Sequence, residues 1–221
     1  MSRLFLFTIA MLAWISAVPA EEFLGRSLDQ WSEMLSSQQA SERAYAAWAL
    51  GKLAEQSAGK PNDQVYFAEL VKLVHDNDAT VRYWGVLGLE GYAKKLSAKD
   101  GGQTAVVNTV LPLLEDSAAA PRIAAAQTVG LLGQPEKALP VIVAAMSDPQ
   151  DATRIQAASA LETLGPLSRP AITTLEKGTS DSSEYVKRIT QRTLESLDPN
   201  RKPPEAPAKG KKNKAKAKKA A

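Results

Sequence analysis

The sequence predicts an all-α fold, an α-solenoid of about five helical hairpins, from three observations. A basic residue returns at Arg43, Arg82, Arg122, Arg154 and Lys187, in steps of 39, 40, 32 and 33 residues. A bulky apolar residue recurs seven positions after each (Leu50, Leu89, Val129, Leu161, Leu194) and another ten positions after (Leu53, Tyr92, Leu132, Leu164, Leu197). Self-similarity at this period marks stacked hairpins, each too small to bury its own apolar face. Alanine is also abundant and aromatic residues make up only 6% of the chain, which suits close-packed helices.

Residues 1–20 read as a secretory signal. Arg3 supplies the positive end, Leu4 to Ile15 form an apolar or neutral run, and Ser16 to Ala20 end in small residues, placing cleavage after Ala20. The run stops before Pro19, short of the roughly 20 residues a membrane span needs. The expectation is therefore an exported chain, periplasmic or secreted, with no stable membrane span after cleavage. The solenoid should then occupy residues 21–198. Its first helices fall near Ser27–Leu35, Asp63–His75, Gln103–Leu114, Pro135–Met146 and Leu167–Glu176, with apolar residues at helical spacing. Its second helices fall near Ser41–Glu55, Thr80–Lys95, Pro121–Leu132, Asp151–Leu164 and Ser183–Leu197. The hairpin turns are rich in Asp, Asn, Ser and Pro, which end one helix and cap the next. Gly133 and Gly165 follow the last apolar residue of their helices, where a C-cap favours a left-handed residue. The longer early repeats place their excess at 56–62 and 94–102, as projecting loops.

Residues 199–221 form a Pro/Lys/Ala-rich basic tail, stiff in D-P-N-R-K-P-P-E-A-P and disordered alone in its lysine-rich end. The net charge of +3 hides an asymmetry. From Asn200 onward nine basic residues face one acid, Glu205, a net +8, whereas Glu21 to Pro199 carry −6. Lys209, Lys211, Lys212, Lys214, Lys216, Lys218 and Lys219 are the candidate polyanion-binding residues, for an anionic surface or polymer held by counterion release. The tail has no aromatic residue, so sequence-specific nucleic-acid reading is not expected. The chain has no cysteine, which removes disulfides, thiol catalysis and thiolate metal sites.

The phrase R-A-Y-A-A-W-A-L-G-K-L and its four counterparts resemble HEAT repeats, of the short type also found in phycobilin lyases. An acid sits in each turn (Asp76 or Asp78, Asp116, Asp148 or Asp151, Asp181). A small or apolar residue and a base then open the second helix, and an alanine-rich stretch leads to leucine. The first repeat departs with Glu42, and the fifth, with Lys187, Thr190 and Gln191, looks like a polar terminal cap. The resemblance implies a right-handed α-solenoid whose second helices line the concave surface. It also implies that Arg43, Arg82, Arg122, Arg154 and Lys187 form a structural ladder with turn acids of their own or adjacent repeats. For function it implies scaffolding or partner binding.

Nothing in the sequence assembles catalysis. The single histidine, His75, lies in the turn V-H-D-N-D without a second histidine or cysteine, and D-N-D lacks the glycine and glutamate of a calcium loop. No nucleophile elbow, phosphate-cradling loop or dinucleotide fingerprint occurs. No enzyme activity, cofactor, metal site or catalytic residue is therefore expected. For binding, positions one, five and nine after each basic residue should face away from the alanine–leucine core. That stripe and its neighbours offer Tyr45, Trp48, Tyr83, Trp84, Leu87 and Ile123 as partner-binding candidates. Two readings stay open: an exposed apolar patch for a protein partner, or aromatics buried by helix rotation or by Glu22–Arg26.

Overall fold

A computed structural model describes residues 22–61, 63–97 and 101–200. The proposed signal segment and all the tail lysines lie outside the described residues. The chain opens with a two-residue antiparallel hairpin, β1 (Glu22–Phe23) and β2 (Arg26–Ser27), closed by Leu24 and Gly25 at positive φ. Helical hairpins follow. The first helices are α1 (Leu28–Met34), α3 (Asp63–Leu73), α5 (Gly102–Val110), α7 (Pro135–Ala145) and α9 (Ile172–Gly178). The second helices are α2 (Ala40–Ser57), α4 (Ala79–Lys95), α6 (Ala119–Leu131), α8 (Asp151–Leu164) and α10 (Glu184–Leu197). The chain folds as the predicted α-solenoid.

Two first helices differ from the sequence expectation for one reason. Pro112 and Pro170 cannot donate to the helical ladder. Around them the chain tightens into 3-10 turns, Leu111–Glu115 and Gly165–Ala171, so α5 ends early and α9 starts late. The expected cap at Gly133 forms with φ 97°: Gln134 N donates to Val129 O and Gly133 N to Gly130 O, a pair that closes the helix end.

Each second helix packs on the next, α2 on α4, α4 on α6, α6 on α8 and α8 on α10. Among the described first helices, close packing of one repeat on the next is confined to α7 against residues 165–171. The second helices therefore form the tighter layer, termed the inner face, and the first helices splay.

The basic residues fasten these repeats. Arg43, Arg82, Arg122 and Arg154 each donate from Nη1 to two carbonyls of their own turn, for Arg82 those of Asp76 and Asn77 at 2.9 and 3.1 Å. Three of them present the remaining edge to the aspartate of the following repeat. Arg43 takes Asp76 at 2.9 and 3.0 Å, Arg82 takes Asp116 at 2.7 and 2.8 Å, and Arg154 takes Asp181 at 2.9 and 3.0 Å. Each of these aspartates also accepts from the backbone N–H two residues on, which holds the carboxylate in place. Asp78 instead caps α4, and Asp151 pairs with Arg154 inside α8.

Two rungs depart from the expectation. Among the described residues the Arg122 guanidinium donates only to the Asp116 and Ser117 carbonyls, and the Asp148 carboxylate accepts only from Gln150 N. Lys187 pairs with Glu184 on its own helix at 2.6 Å. A lysine ammonium is a point donor without a fork to span a carbonyl and a carboxylate together, and among the described residues no further repeat follows α10.

Arg82→Ala leaves Asp116, whose side chain is 7% exposed, without its partner. The expected loss is about 3 kcal/mol, or roughly 6–12 °C in melting temperature. Arg122→Ala removes carbonyl contacts alone and should cost no more than about half as much; equal losses in calorimetry would contradict the unequal rungs. The pH dependence comes from the acids. The arginine hydrogen bonds hold Asp76, Asp116 and Asp181 below their ordinary 3.8 in the folded chain. Their contribution is complete above the unfolded value and is lost as pH falls through the folded ones. Melting temperature should therefore fall below about pH 4, and Asp116→Asn should flatten that fall while lowering stability at neutral pH.

Candidate binding groove

The inner face carries the aromatic residues at its N-terminal end. Trp31 on α1 is 1% exposed and donates from Nε1 to Phe23 O at 3.1 Å, tying the N-terminal hairpin to the first repeat. Phe23 meets Trp48 edge-on at 5.3 Å between ring centres, and Trp31 meets Tyr45 at 5.4 Å. Tyr45 stacks on Trp48 at 5.7 Å, and Tyr83 packs edge-on against Trp84 at 5.2 Å. Arg26 lies over the Trp31 ring at 4.9 Å. These rings stiffen one another in the offset and edge geometries their quadrupoles favour.

The stripe is therefore part exposed and part covered. Tyr45 is 46% exposed, while Trp48, Tyr83, Trp84 and Leu87 are half-buried with one side on the core. The N-terminal hairpin covers the Phe23 side of Trp48. Ile123 corrects the expectation. It is 1% exposed and belongs to the core shared with α7 and α8, as Ala44 at 8% belongs to that of the first repeats. Ile123 is covered by the following hairpin, α7 and α8. Positions five and nine keep the inner face, with Lys52, Thr163, Arg192 and Ser196 exposed.

Between α2 and α4 the inner face opens into a groove of about 350 Å³ lined by Trp48, Lys52, Glu55, Trp84, Leu87, Glu90 and Lys94 over Gly51, Gly88 and Gly91. The glycines make it possible. A Cβ on Gly51 would lie 2.9 Å from Gly88 Cα, and one on Gly88 would lie 2.6 Å from Leu70 Cδ2. The two helices therefore cross backbone to backbone, and the long side chains on either side stand as rims.

Glu90 is the residue the sequence reading missed. It is 6% exposed, yet it accepts from Lys94 Nζ at 2.5 Å, Gln127 Nε2 at 2.8 Å and Thr128 Oγ1 at 3.1 Å. Two of these donors sit on α6, so the carboxylate ties the second repeat to the third. It stands eight positions after Arg82, where the first and third repeats have Gly51 and Gly130; a charge at a glycine position was its signal. Lys52 pairs with Glu55 at 3.2 Å. Burial, and then the Glu90 carboxylate, push the Tyr83 phenol up. The groove thus joins aromatic faces to charges that are already paired, an arrangement for recognition. At the other end of the inner face Arg192 pairs with Glu162, one contact at 2.8 Å, and His75 stands exposed on its turn.

A model of HEAT repeats matches residues 107–195. Over those residues the repeats are HEAT-like. Solved structures similar to this HEAT-like array include the complex of CpcE and CpcF of phycocyanin lyase from Nostoc sp. PCC7120, at 19% identity and a TM-score of 0.55, covering 84% of this chain and 70% of that one. A designed armadillo repeat protein in complex with the peptide (KR)4 is 19% identical, with a TM-score of 0.54, covering 77% and 82%. An engineered protein is 18% identical, with a TM-score of 0.52, covering 76% and 78%. At these identities the likeness is one of fold. No curated protein sequence matches the chain.

Gly51→Ala forces a methyl against the Gly88 backbone and should part α2 from α4. The expected loss is about 1–3 kcal/mol, read by thermal melting, with a change in tryptophan fluorescence from Trp48 and Trp84. A variant as stable as the parent would show that the helices do not need this approach.

Proposed function

We propose that the chain is an exported, non-enzymatic HEAT-like scaffold that binds a protein partner on its inner, second-helix face. The observation that carries this reading is the groove between α2 and α4, with half-buried aromatic faces and Leu87 beside charge pairs at Lys52–Glu55 and Lys94–Glu90. Half-exposed aromatic residues held rigid by their neighbours are what binding hot spots are made of. The similar designed repeat protein was solved with a bound peptide, and the similar lyase structure is a complex of two proteins, which supports partner binding on this kind of array. The leader at residues 1–20 supports export. The lysines from Lys209 to Lys219 add a salt-sensitive attachment to anionic surfaces.

Peptides selected from a random library on the immobilised chain test this reading. They should shift the backbone amides of Trp48, Leu87 and Gly91. Leu87→Arg should weaken them at least about tenfold, ~1.4 kcal/mol, with its melting temperature as the control for folding. Deleting Lys209–Ala221 should only weaken binding at low salt. Selection of acidic peptides alone, lost with that deletion and indifferent to Leu87→Arg, would make the tail the functional element instead.

A further inference from the structure

Arg43, Arg82, Arg122 and Arg154 hold one local posture. In each, Nη1 donates to the carbonyls six and five residues back, which leaves Nε and Nη2 as the free edge of the fork. Three of these edges show what they take, a carboxylate on both nitrogens at 2.7 to 3.0 Å. Arg122 presents the same edge, and among the described residues no acceptor meets it. The facing half of that rung is also in place. Asp148 is held by Gln150 N at 2.8 Å, as the other ladder aspartates are held by their own turns, yet no cation meets its carboxylate. Both side chains belong to half-buried residues that solvent reaches. The acids on either side are already taken, Asp116 by Arg82 and Asp151 and Asp181 by Arg154.

The joint is set without this rung. Gln156 Nε2 donates to Ala120 O at 2.9 Å near the start of α6, and near its end a Cβ on Gly130 would lie 2.8 Å from Leu164 Cδ2. Closing the rung would have to shift both contacts. Arg122 thus keeps a fork aligned by its own turn, and a ligand that meets it costs little further loss of conformational freedom. Asp148 sets a second requirement. Its charge would repel a lone anion, whereas a basic group beside the acid turns the repulsion into attraction. We propose that Arg122 and Asp148 form a two-point site on the turn edge of the array for a protein partner, taking an acidic side chain and a neighbouring basic one. The acid meets Nε and Nη2 of Arg122 as Asp76, Asp116 and Asp181 meet the other forks, and the base meets Asp148. A desolvated, prealigned arginine is a common centre of binding energy at protein interfaces. The site shares no residue with the groove between α2 and α4 and stands whether or not that groove binds.

The Nε–H resonances of these arginines, read on the full-length protein, test the proposal. Arg122→Lys removes one signal and so assigns it. In the free protein that proton should exchange with water faster than those of Arg43, Arg82 and Arg154. Titration with an alternating Glu-Lys octapeptide should move the Arg122 signal, slow its exchange and leave the other three in place. Free glutamate at the same concentration should move none of them. Arg122→Gln should weaken the octapeptide at least about tenfold and Asp148→Asn about threefold, with melting temperature as the control for folding, while Leu87→Arg should change neither. An Arg122 proton already as slow as its counterparts, and made fast by Asp148→Asn, would show the rung closed in solution and overturn the site. An equal shift with free glutamate would assign it to a small zwitterion instead of a protein. No shift, or an equal shift at all four arginines, would overturn it as well.

Discussion

An arginine held by the carbonyls of its own turn, with its remaining edge on the aspartate of the next turn, fixes the offset between neighbouring hairpins. Apolar burial does not do this. It is non-directional, and an alanine–leucine face packs nearly as well after a small slip. The bidentate fork accepts one geometry. In the Arg43, Arg82 and Arg154 rungs the guanidinium is aligned first by local carbonyls, and the carboxylate first by a local backbone N–H. Each rung is thus assembled from two preset halves, and it closes only when the second helices are in register. The net stabilisation of such a pair is small beside the core around it, but its loss strands a shielded charge.

Between described repeats the array departs from this plan once, and the departure coincides with a division of the core. Buried residues up to Val129 form one cluster, those from Ile123 onward form another, and α6 contributes to both. The absent Arg122–Asp148 rung falls at that step. Other contacts carry the register there. Gln156 Nε2 donates to Ala120 O at 2.9 Å, and a Cβ on Gly130 would lie 2.8 Å from Leu164 Cδ2. Close helix packing with a single polar tie takes the place of a fork. The step before it, from the second repeat to the third, has both the Arg82 rung and the Glu90 tie, so the two joints flanking α6 are fastened unequally.

What the sequence made legible was whatever repeats. The period located each second helix to within a few residues and marked Arg43, Arg82 and Arg154 as fasteners, because a structural requirement met at every step writes itself at every step. Features that occur once were hidden. Glu90 interrupts a glycine position in one repeat only, and its donors Gln127 and Thr128 lie more than thirty residues away. The β1–β2 hairpin is four paired residues held by one indole hydrogen bond, too short for any periodicity. Ile123 was misplaced by a limit of helical-wheel reasoning: a wheel gives the angle of a residue around its helix but not how far the next hairpin reaches over it. Pro112 and Pro170 are visible in the sequence, but a proline alone does not say whether a helix breaks or tightens; here the chain keeps its course as 3-10 turns.

The difference between the two layers gives the molecule two unlike faces. Tight second-helix packing, made possible by Gly51 and Gly88, yields a narrow groove whose charges are already satisfied; a partner there gains from shape and aromatic contact more than from net charge. Splayed first helices yield wider apolar grooves edged by Glu115 and Glu136. The last helix is tied to the first-helix layer through the Arg169–Leu197 contact, and the sequence beyond it carries the opposite sign of charge to the body. The two faces lie a helical hairpin apart, about 20 Å for two packed helices of roughly 10 Å each, so a ligand held on one leaves the other free.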